Sequence, residues 1–198
     1  MGLAKRAPKC KVIAMFNQKG GVGKSTSTIQ LAAALARLEK KVLVIDADSQ
    51  GTVTKNLGFR NLSEDDITLT TVFDTYIENR ELKPSDGILS HDEGFDLLPC
   101  NLGLAGYEMK IVKTDEKSIF LKKYVDMMRK EYEIILIDCM PSLGIVPINV
   151  LVASDSVIVP VEPDLTSADG FQDLQRTVFK SNKSINPGLK IEGILFTK

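Results

Sequence analysis

Short apolar runs alternate with amphipathic stretches along most of the chain. Five runs rich in β-branched residues predict buried strands over residues 11–16, 41–45, 133–137, 155–161 and 191–196. Helical spacing of apolar positions predicts helices over residues 24–39, 102–112, 118–130, 145–153 and 167–181. Continuous apolar strands alternating with helices are typical of a mostly parallel, twisted sheet with helices on both faces. The predicted fold class is therefore α/β.

Residues 60–93 interrupt this alternation. The segment is acidic at Glu64, Asp65 and Asp66, is rich in turn residues near Pro84, and holds only short apolar pieces. We interpret it as surface excursions on the same domain. No repeat, low-complexity tract or linker divides the chain, so residues 1–198 are expected to form a single domain.

Composition narrows the possible functions. The chain has 198 residues, of which 43% are hydrophobic and 26% charged, as in an ordinary globular protein with a sizeable core. A net charge of −1 gives no global attraction to nucleic acid or anionic lipid, so such binding would need a local basic patch or several assembled copies. Three separated cysteines, no secretory signal and no apolar run of roughly 20 residues predict a reduced, cytoplasmic protein without a membrane span.

A glycine-rich loop joins the first predicted strand to the first predicted helix. Glycines there allow backbone N–H groups to approach phosphate oxygens, and the helix N-terminus favours the same anion. Lys24 supplies a charge to the β- and γ-phosphates, and the Ser25 hydroxyl is placed to bind magnesium. The sequence therefore predicts binding of ATP or ADP with Mg²⁺ by Lys19, Gly20, Gly21, Val22, Gly23, Lys24, Ser25 and Thr26.

One departure from the general phosphate-loop pattern points to a particular subgroup of such loops. Gln18 stands where that pattern has glycine, and Lys19 adds a second lysine ahead of the glycines. Residues 17–26 thereby resemble the deviant Walker A motif that opens the ParA/Soj-type partition ATPases. Further matches follow in order at residues 46–51, 97–99, 104–108, 134–144, 157–161 and 193–195. The resemblance covers nearly the whole chain from Lys11 onward.

This resemblance implies roles for individual residues. Lys19 would reach across a dimer interface to the phosphates held by the other subunit. Asp48 would orient or activate the attacking water, with Asp46 as the less favoured candidate for that role. Asp46 would instead lie near the magnesium, and Asp138, which ends an apolar strand, would hold it, usually through water. The predicted catalytic residues are thus Lys19 and Asp48, and the predicted metal site comprises Ser25, Asp46 and Asp138.

The sequence departs from the family pattern in three places. Ser49 and Met140 stand where the family often has proline, next to functional carboxylates. Both changes could alter the stiffness of these loops, but neither removes a reacting group. Family members usually continue beyond the equivalent of Lys198, so the chain is expected to lack the family's C-terminal portion.

The function implied by the resemblance is an ATP-dependent switch of plasmid, chromosome or mobile-element partition. Such a Mg²⁺-dependent ATPase would form a homodimer with ATP, bind DNA non-specifically on the nucleoid, and leave it on hydrolysis. Hydrolysis would be slow and stimulated by a centromere-binding ParB-like protein. The best basic candidates for DNA contact are Arg176, Lys180, Lys183, Lys190 and Lys198.

Two alternatives belong to other functional classes. A MinD-like membrane-cycling regulator of cell division would need a C-terminal amphipathic helix, which this sequence lacks. An electron-transfer ATPase resembling nitrogenase iron protein would need two cysteines per subunit to bridge a cluster. Cys100 and Cys139 are available, but the glycine-flanked ligand context is absent.

Overall fold

A seven-stranded sheet lies at the centre of the part of the chain that the computed structural model describes, which comprises residues 10–63, 66–111, 118–142, 144–163 and 186–197. Its strands are β1 (Lys11–Met15), β2 (Val42–Ala47), β3 (Leu89–Ser90), β4 (Asp96–Leu98), β5 (Ile134–Cys139), β6 (Ser156–Val161) and β7 (Lys190–Phe196). The helices are α1 (Lys24–Arg37), α2 (Thr52–Asn56), α3 (Leu69–Ile77), α4 (Gly103–Ile111), α5 (Phe120–Met128) and α6 (Ile145–Ala153).

The sheet is parallel except at one edge. Its strand order is β3-β4-β2-β5-β1-β6-β7, and only the β3–β4 pair is antiparallel. All five predicted strands are present, and the predicted α/β class is confirmed. The helix predicted over residues 145–153 is present with the same bounds, and those predicted over residues 24–39, 102–112 and 118–130 are present with slightly shorter bounds. The helix predicted over residues 167–181 lies outside the described residues.

The interpretation of residues 60–93 as surface excursions was wrong for α3. Leu69, Val72 and Phe73 are fully buried in the main core, and the Phe73 ring lies 6.5 Å from that of Phe120 on α5. The apolar positions of α3 follow helical spacing, which is the ordinary signal for a buried helical face. The flanking acidic and turn residues obscured a short element whose burial depends on contacts distant in sequence.

The two faces of the sheet explain the continuous apolar strands. On one face, residues such as Val12, Leu43 and Ile135 belong to the larger core, which includes residues of α3, α5 and α6. On the other face, Val44 and Leu136 pack with buried alanines of α1. Because both faces are covered, nearly every residue of these strands must be apolar.

The same register aligns the strand ends that carry polar residues. Asp46 of β2 lies directly beside Asp138 of β5, and Asp138 also pairs with Met15 at the end of β1. The loop that follows β1 therefore begins next to two carboxylates. This carboxyl edge is where ligands bind in open parallel sheets, at the point where neighbouring strands lead to opposite faces.

Candidate functional site

The glycine loop between β1 and α1 forms the predicted phosphate cradle. Gly21 and Gly23 have φ of +76° and +80°, a conformation that L side chains rarely adopt. Gly23 is the N-cap of α1, so the free N–H groups of the first helical turn open towards the loop. The loop is fixed from behind because the Thr197 hydroxyl lies 2.9 Å from the carbonyl oxygen of Val22, to which it donates.

A cavity of about 270 Å³ opens above this loop. The predicted residues that it brings together are Gly20, Gly21, Gly23, Lys24, Ser25, Thr26 and Asp48. Thr52 and Pro141 also line it, and sequence reasoning assigned neither of them a role. Only their positions in the sequence could have indicated that they line the cavity, since Thr52 begins the helix after Asp48 and Pro141 follows the strand that carries Asp138.

A larger cavity lies elsewhere and has a different character. It measures about 580 Å³, lies between α1 and strands β6 and β7, and is lined largely by apolar atoms. A triphosphate requires cations and N–H donors, which the smaller cavity provides. We therefore place the phosphate site in the smaller cavity.

Lys24 is held beneath the loop as a nearly buried cation. Only 7% of the residue is exposed, and its Nζ donates a 2.9 Å hydrogen bond to the carbonyl oxygen of Lys19. Burial lowers the pKa of Lys24, and the neighbouring Asp138 carboxylate partly offsets this effect. A cation with little access to water interacts strongly with an incoming anion, because screening is weak there.

Ser25 and Asp138 form the pair expected at a magnesium site. The Ser25 Oγ donates a 2.6 Å hydrogen bond to Oδ2 of Asp138, and Thr28 Oγ1 lies 3.4 Å from Oδ1. Burial raises the pKa of Asp138 to about 7. These hard oxygen donors at the edge of the phosphate cavity fit Mg²⁺, which binds few protein ligands and keeps several waters. When bound, the ion would neutralise charge on the phosphate oxygens.

Asp46 is engaged by the protein itself. The residue is fully buried. Its Oδ2 accepts hydrogen bonds from the backbone N–H of Thr54 at 2.9 Å and from the Thr54 hydroxyl at 2.7 Å. Its Oδ1 accepts the backbone N–H of Asp48 at 3.2 Å. Burial raises the pKa of Asp46 to about 6, against the opposing effect of these bonds. The metal role of Asp46 remains a prediction, whereas its contacts give it a part in holding Asp48.

Asp48 stands at the mouth of the cavity rather than inside the core. It is partly exposed, and its Oδ1 accepts the backbone N–H of Gln50 at 2.9 Å. Its carbonyl oxygen accepts the N–H of Gly51 at 2.8 Å, which closes a tight turn. The structure thus places a carboxylate next to the phosphate loop, in a segment fixed by backbone hydrogen bonds.

Lys19 lies at the rim with its side chain 38% exposed. Its Nζ is 3.6 Å from a carboxylate oxygen of Glu162, and its backbone N–H donates to Oδ1 of Asn17 at 3.0 Å. Asn17 in turn donates to the carbonyl oxygen of Pro160 at 2.7 Å. The loop that carries Lys19 is therefore anchored to the end of β6.

Other predicted features are placed less centrally. Cys100 and Cys139 are buried thiols, at 2% and 0% exposure, and burial raises the pKa of both. Neither is available at the surface to share a cluster with another subunit.

Lys190 is exposed on β7, while the other basic candidates for DNA contact, Arg176, Lys180, Lys183 and Lys198, lie outside the described residues. Each helix in the described part of the chain is too short or too polar to cross a bilayer.

A strand, a glycine loop and a helix N-terminus that together hold a buried lysine beside a strand-end carboxylate define a P-loop nucleotide-binding protein. A family described as an AAA domain matches residues 10–191. Soj of Bacillus subtilis, a sporulation initiation inhibitor protein, is 38% identical over 188 residues, which are 94% of this chain and 72% of Soj. The chain belongs to the ParA/Soj family of P-loop ATPases, as the sequence predicted.

Other relatives and solved structures agree with this assignment. The chromosome partitioning protein ParA of Myxococcus xanthus is 36% identical, over 94% of this chain and 64% of its own length. A plasmid partition protein from Borrelia burgdorferi superposes with a TM-score of 0.80 at 30% identity, over 96% of this chain and 80% of that one. Cobyrinic acid a,c-diamide synthase from Mycobacterium smegmatis was solved with an ATP analogue and magnesium. It superposes with a TM-score of 0.86 at 33% identity, over 94% of this chain and 74% of that one.

Asp138→Asn is expected to raise the melting temperature of the nucleotide-free protein at pH 8. The folded pKa of Asp138, about 7, lies above its ordinary value of 3.8, so the stability this carboxyl provides is present below pH 4 and lost as pH rises through 7. Asparagine keeps the shape without the buried charge, which removes a cost on the order of a few kcal/mol at pH 8. Thermal unfolding of both proteins at pH 8 and pH 4.5 measures this.

The melting temperature of Asp138→Asn should exceed that of the parent by much less at pH 4.5 than at pH 8. A variant that melts below the parent at pH 8 would contradict the assignment of a buried, destabilising charge. Glu133→Gln is a suitable control because Glu133 directly precedes β5, the strand that carries Asp138, but is only half-buried, and hydrogen bonds from Lys41 and Lys40 lower its pKa.

Proposed function

We propose that this chain is an ATP-hydrolysing switch of DNA partition, which dimerises around ATP and binds DNA without sequence preference. The observation that supports this proposal most strongly is that Lys24, Ser25 and Asp48 line one cavity of about 270 Å³. Ser25 is also hydrogen-bonded to Asp138. ATP or ADP with Mg²⁺, the predicted cofactors, are the ligands bound in solved structures of a protein with this fold.

The residues divide the work of phosphoryl transfer between binding and orientation. Backbone N–H groups of the loop and the Lys24 ammonium would bind the phosphates, and Ser25 with Asp138 would hold the magnesium. Asp48, at the mouth of the cavity, would orient the attacking water. Phosphoryl transfer needs little beyond positioning and charge stabilisation, so this set is sufficient for slow hydrolysis.

Lys19 would complete the site across a dimer interface. Its side chain is at the rim, partly exposed, and its 3.6 Å contact with Glu162 is an ion pair of the kind that exchanges readily for another anion. A phosphate group of a nucleotide held by a second subunit offers more negative charge than one carboxylate. This geometry supports a dimer that forms only with a triphosphate present.

Lys19→Ala is expected to impair ATP-dependent dimerisation while leaving nucleotide binding by the monomer within about threefold. The lysine would contact the phosphates of the other subunit, so its loss removes a charge-assisted bond, typically worth about 1.5 to 3 kcal/mol, from the dimer alone. Light scattering with ATP and magnesium gives the dimer mass, and calorimetry gives the nucleotide affinity.

Lys40→Ala serves as the matched control, since Lys40 is an exposed lysine beyond the far end of α1 and pairs with Glu133. It should dimerise like the parent. Undiminished dimerisation of Lys19→Ala would refute the role of Lys19 between subunits.

Partition proteins among the relatives support the DNA-binding part of the proposal. The Myxococcus ParA and the Borrelia protein carry partition in their names, which favours this function over the MinD-like alternative. Two copies of a basic patch in one dimer would provide the phosphate contacts that a net charge of −1 does not. A centromere-binding ParB-like protein would stimulate hydrolysis, and the protein would occupy the cytoplasm and, with ATP, the nucleoid.

DNA co-sedimentation tests this function directly. Non-specific duplex DNA is mixed with the protein and ATP, ADP or no nucleotide, from about 50 to about 200 mM salt. We expect binding with ATP only, weakening steeply with salt and absent for the Lys24→Ala variant. DNA binding of equal strength under all three nucleotide conditions, or none with ATP at the lowest salt, would overturn the proposal.

A further inference from the structure

Thr54 ties three separate segments of the chain together with one hydroxyl. The residue is 1% exposed on α2, and its Oγ1 donates to Oδ2 of Asp46 on β2 at 2.7 Å. The same Oγ1 accepts the backbone N–H of Cys100, just after β4, at 3.0 Å. This buried hydroxyl thus donates one hydrogen bond, to Asp46, and accepts another, from Cys100.

The bond from Thr54 to Asp46 closes the Asp48 segment into a loop. The Asp46 carboxylate accepts two bonds from Thr54 at Oδ2, and at Oδ1 it accepts the N–H of Asp48. A carboxylate whose Oδ2 is fixed twice cannot rotate freely, so the position of Oδ1, and with it the backbone of Asp48, is also fixed. Loss of the hydroxyl would leave one bond at Oδ2 and a looser support for Asp48.

Gly51 provides a second contact between the same segments. Its φ is +58°, and a Cβ at this position would lie 2.9 Å from the carbonyl oxygen of Cys100. The turn after Asp48 therefore packs directly on the backbone at the end of β4. The hydroxyl of Thr54 and this close approach join the turn to Cys100 from two directions.

We infer that Thr54 is a positioning residue for Asp48, which it holds through the Asp46 carboxylate and links to the β4–α4 connection at Cys100. The inference rests on the proposed function, in which Asp48 orients the attacking water. Thr54 does not contact the reacting atoms. Its effect is to keep Asp48 in the geometry that hydrolysis requires, and misplacement of such a group by about 1 Å costs up to about 100-fold in rate.

The test compares Thr54→Val, which keeps the shape and loses the hydroxyl, with Thr54→Ser, which keeps the hydroxyl. ATP hydrolysis is measured with saturating nucleotide, and ATP affinity by calorimetry, at a temperature where circular dichroism shows each variant fully folded. Thr54→Val should lower kcat by about 10- to 100-fold with affinity within about threefold, and Thr54→Ser should restore kcat to within about threefold. Equal kcat for Thr54→Val and the parent would overturn the inference.

A double variant separates this inference from the proposed function. If Thr54 acts through Asp48, adding Thr54→Val to Asp48→Ala should lower the residual rate by less than about twofold, because coupled residues are not additive. A full further loss would refute the inference and leave the role of Asp48 intact. Normal turnover by Asp48→Ala alone would instead refute the water-orienting role that the proposed function gives to Asp48.

Hydrogen exchange of the parent protein gives a result even where Thr54→Val does not fold. The amides of Asp48, Thr54 and Cys100 are all donors in this network. We expect them to exchange with one common opening free energy, as a single local unit. Exchange of the Asp48 amide much faster than those of Thr54 and Cys100 would show that the hydroxyl does not hold the loop, and would overturn the inference.

Discussion

Lys24→Ala should weaken the binding of ATP and ADP by roughly 100-fold or more. Lys24 is the cation beneath the phosphate loop. It is 7% exposed, and its Nζ donates a 2.9 Å hydrogen bond to the carbonyl oxygen of Lys19. A triphosphate in the cavity would lose its most buried positive partner, at a cost of about 3 kcal/mol or more, equivalent to roughly 100-fold in Kd. Isothermal titration calorimetry with magnesium and either nucleotide measures the change.

The variant should nevertheless fold. Burial already lowers the pKa of Lys24, so the charge carries a desolvation cost that alanine removes. Lys122→Ala is the matched control, because Lys122 is an exposed lysine in an i,i+4 pair with Asp126 on α5. It should bind ATP like the parent, and unchanged ATP affinity in a folded Lys24→Ala protein would overturn the P-loop site.

Asp48→Ala is expected to retain ATP binding and lose turnover by roughly 100-fold or more, the range for an oriented acid–base group. The carboxylate lines the phosphate cavity but is partly exposed, so its removal takes a negative charge away from the phosphates and should not weaken binding. Phosphate release under saturating ATP, together with calorimetric Kd, distinguishes the two effects.

Asp92→Ala is the control for this variant, since Asp92 is an exposed aspartate in the loop between β3 and β4. Its kcat should match that of the parent. If Asp48→Ala hydrolysed ATP normally, the water-orienting role would have to pass to Asp46, the less favoured alternative. Asp46→Asn would then show the loss of turnover, although asparagine cannot accept hydrogen bonds at both positions as the Asp46 carboxylate does, which predicts a loss of stability as well.

The phosphate loop could be predicted from sequence because its chemistry is contiguous. The residues from Lys19 to Thr26 are neighbours in the chain, and the loop geometry follows from glycines between a strand and a helix. The contact between Ser25 and Asp138 was also accessible, because parallel strands bring their carboxyl ends to one edge. The first arrangement follows from a local rule, and the second from a general rule of parallel sheets.

The support of Asp48 could not be predicted in the same way. Thr54 has no distinguishing feature in the sequence, and its partner Cys100 is far along the chain, so only the fold shows that one hydroxyl joins them. The burial of α3 was missed for a related reason, since its packing partner Phe120 lies on a separate helix. Residues that act through distant packing leave little local signal.

The position of β1 in the sheet has a consequence for biosynthesis. β1 is flanked by β5 and β6, so the strand that leads into the glycine loop has both partners more than about 100 residues further along the chain. Such long-range pairing is slow, because loop closure precedes the contacts that stabilise it. A nascent chain ending before Ile134 would hold the entire glycine loop but neither neighbour of β1 nor Asp138. Nucleotide bound with the help of Asp138 therefore cannot assist folding before β5 has been made.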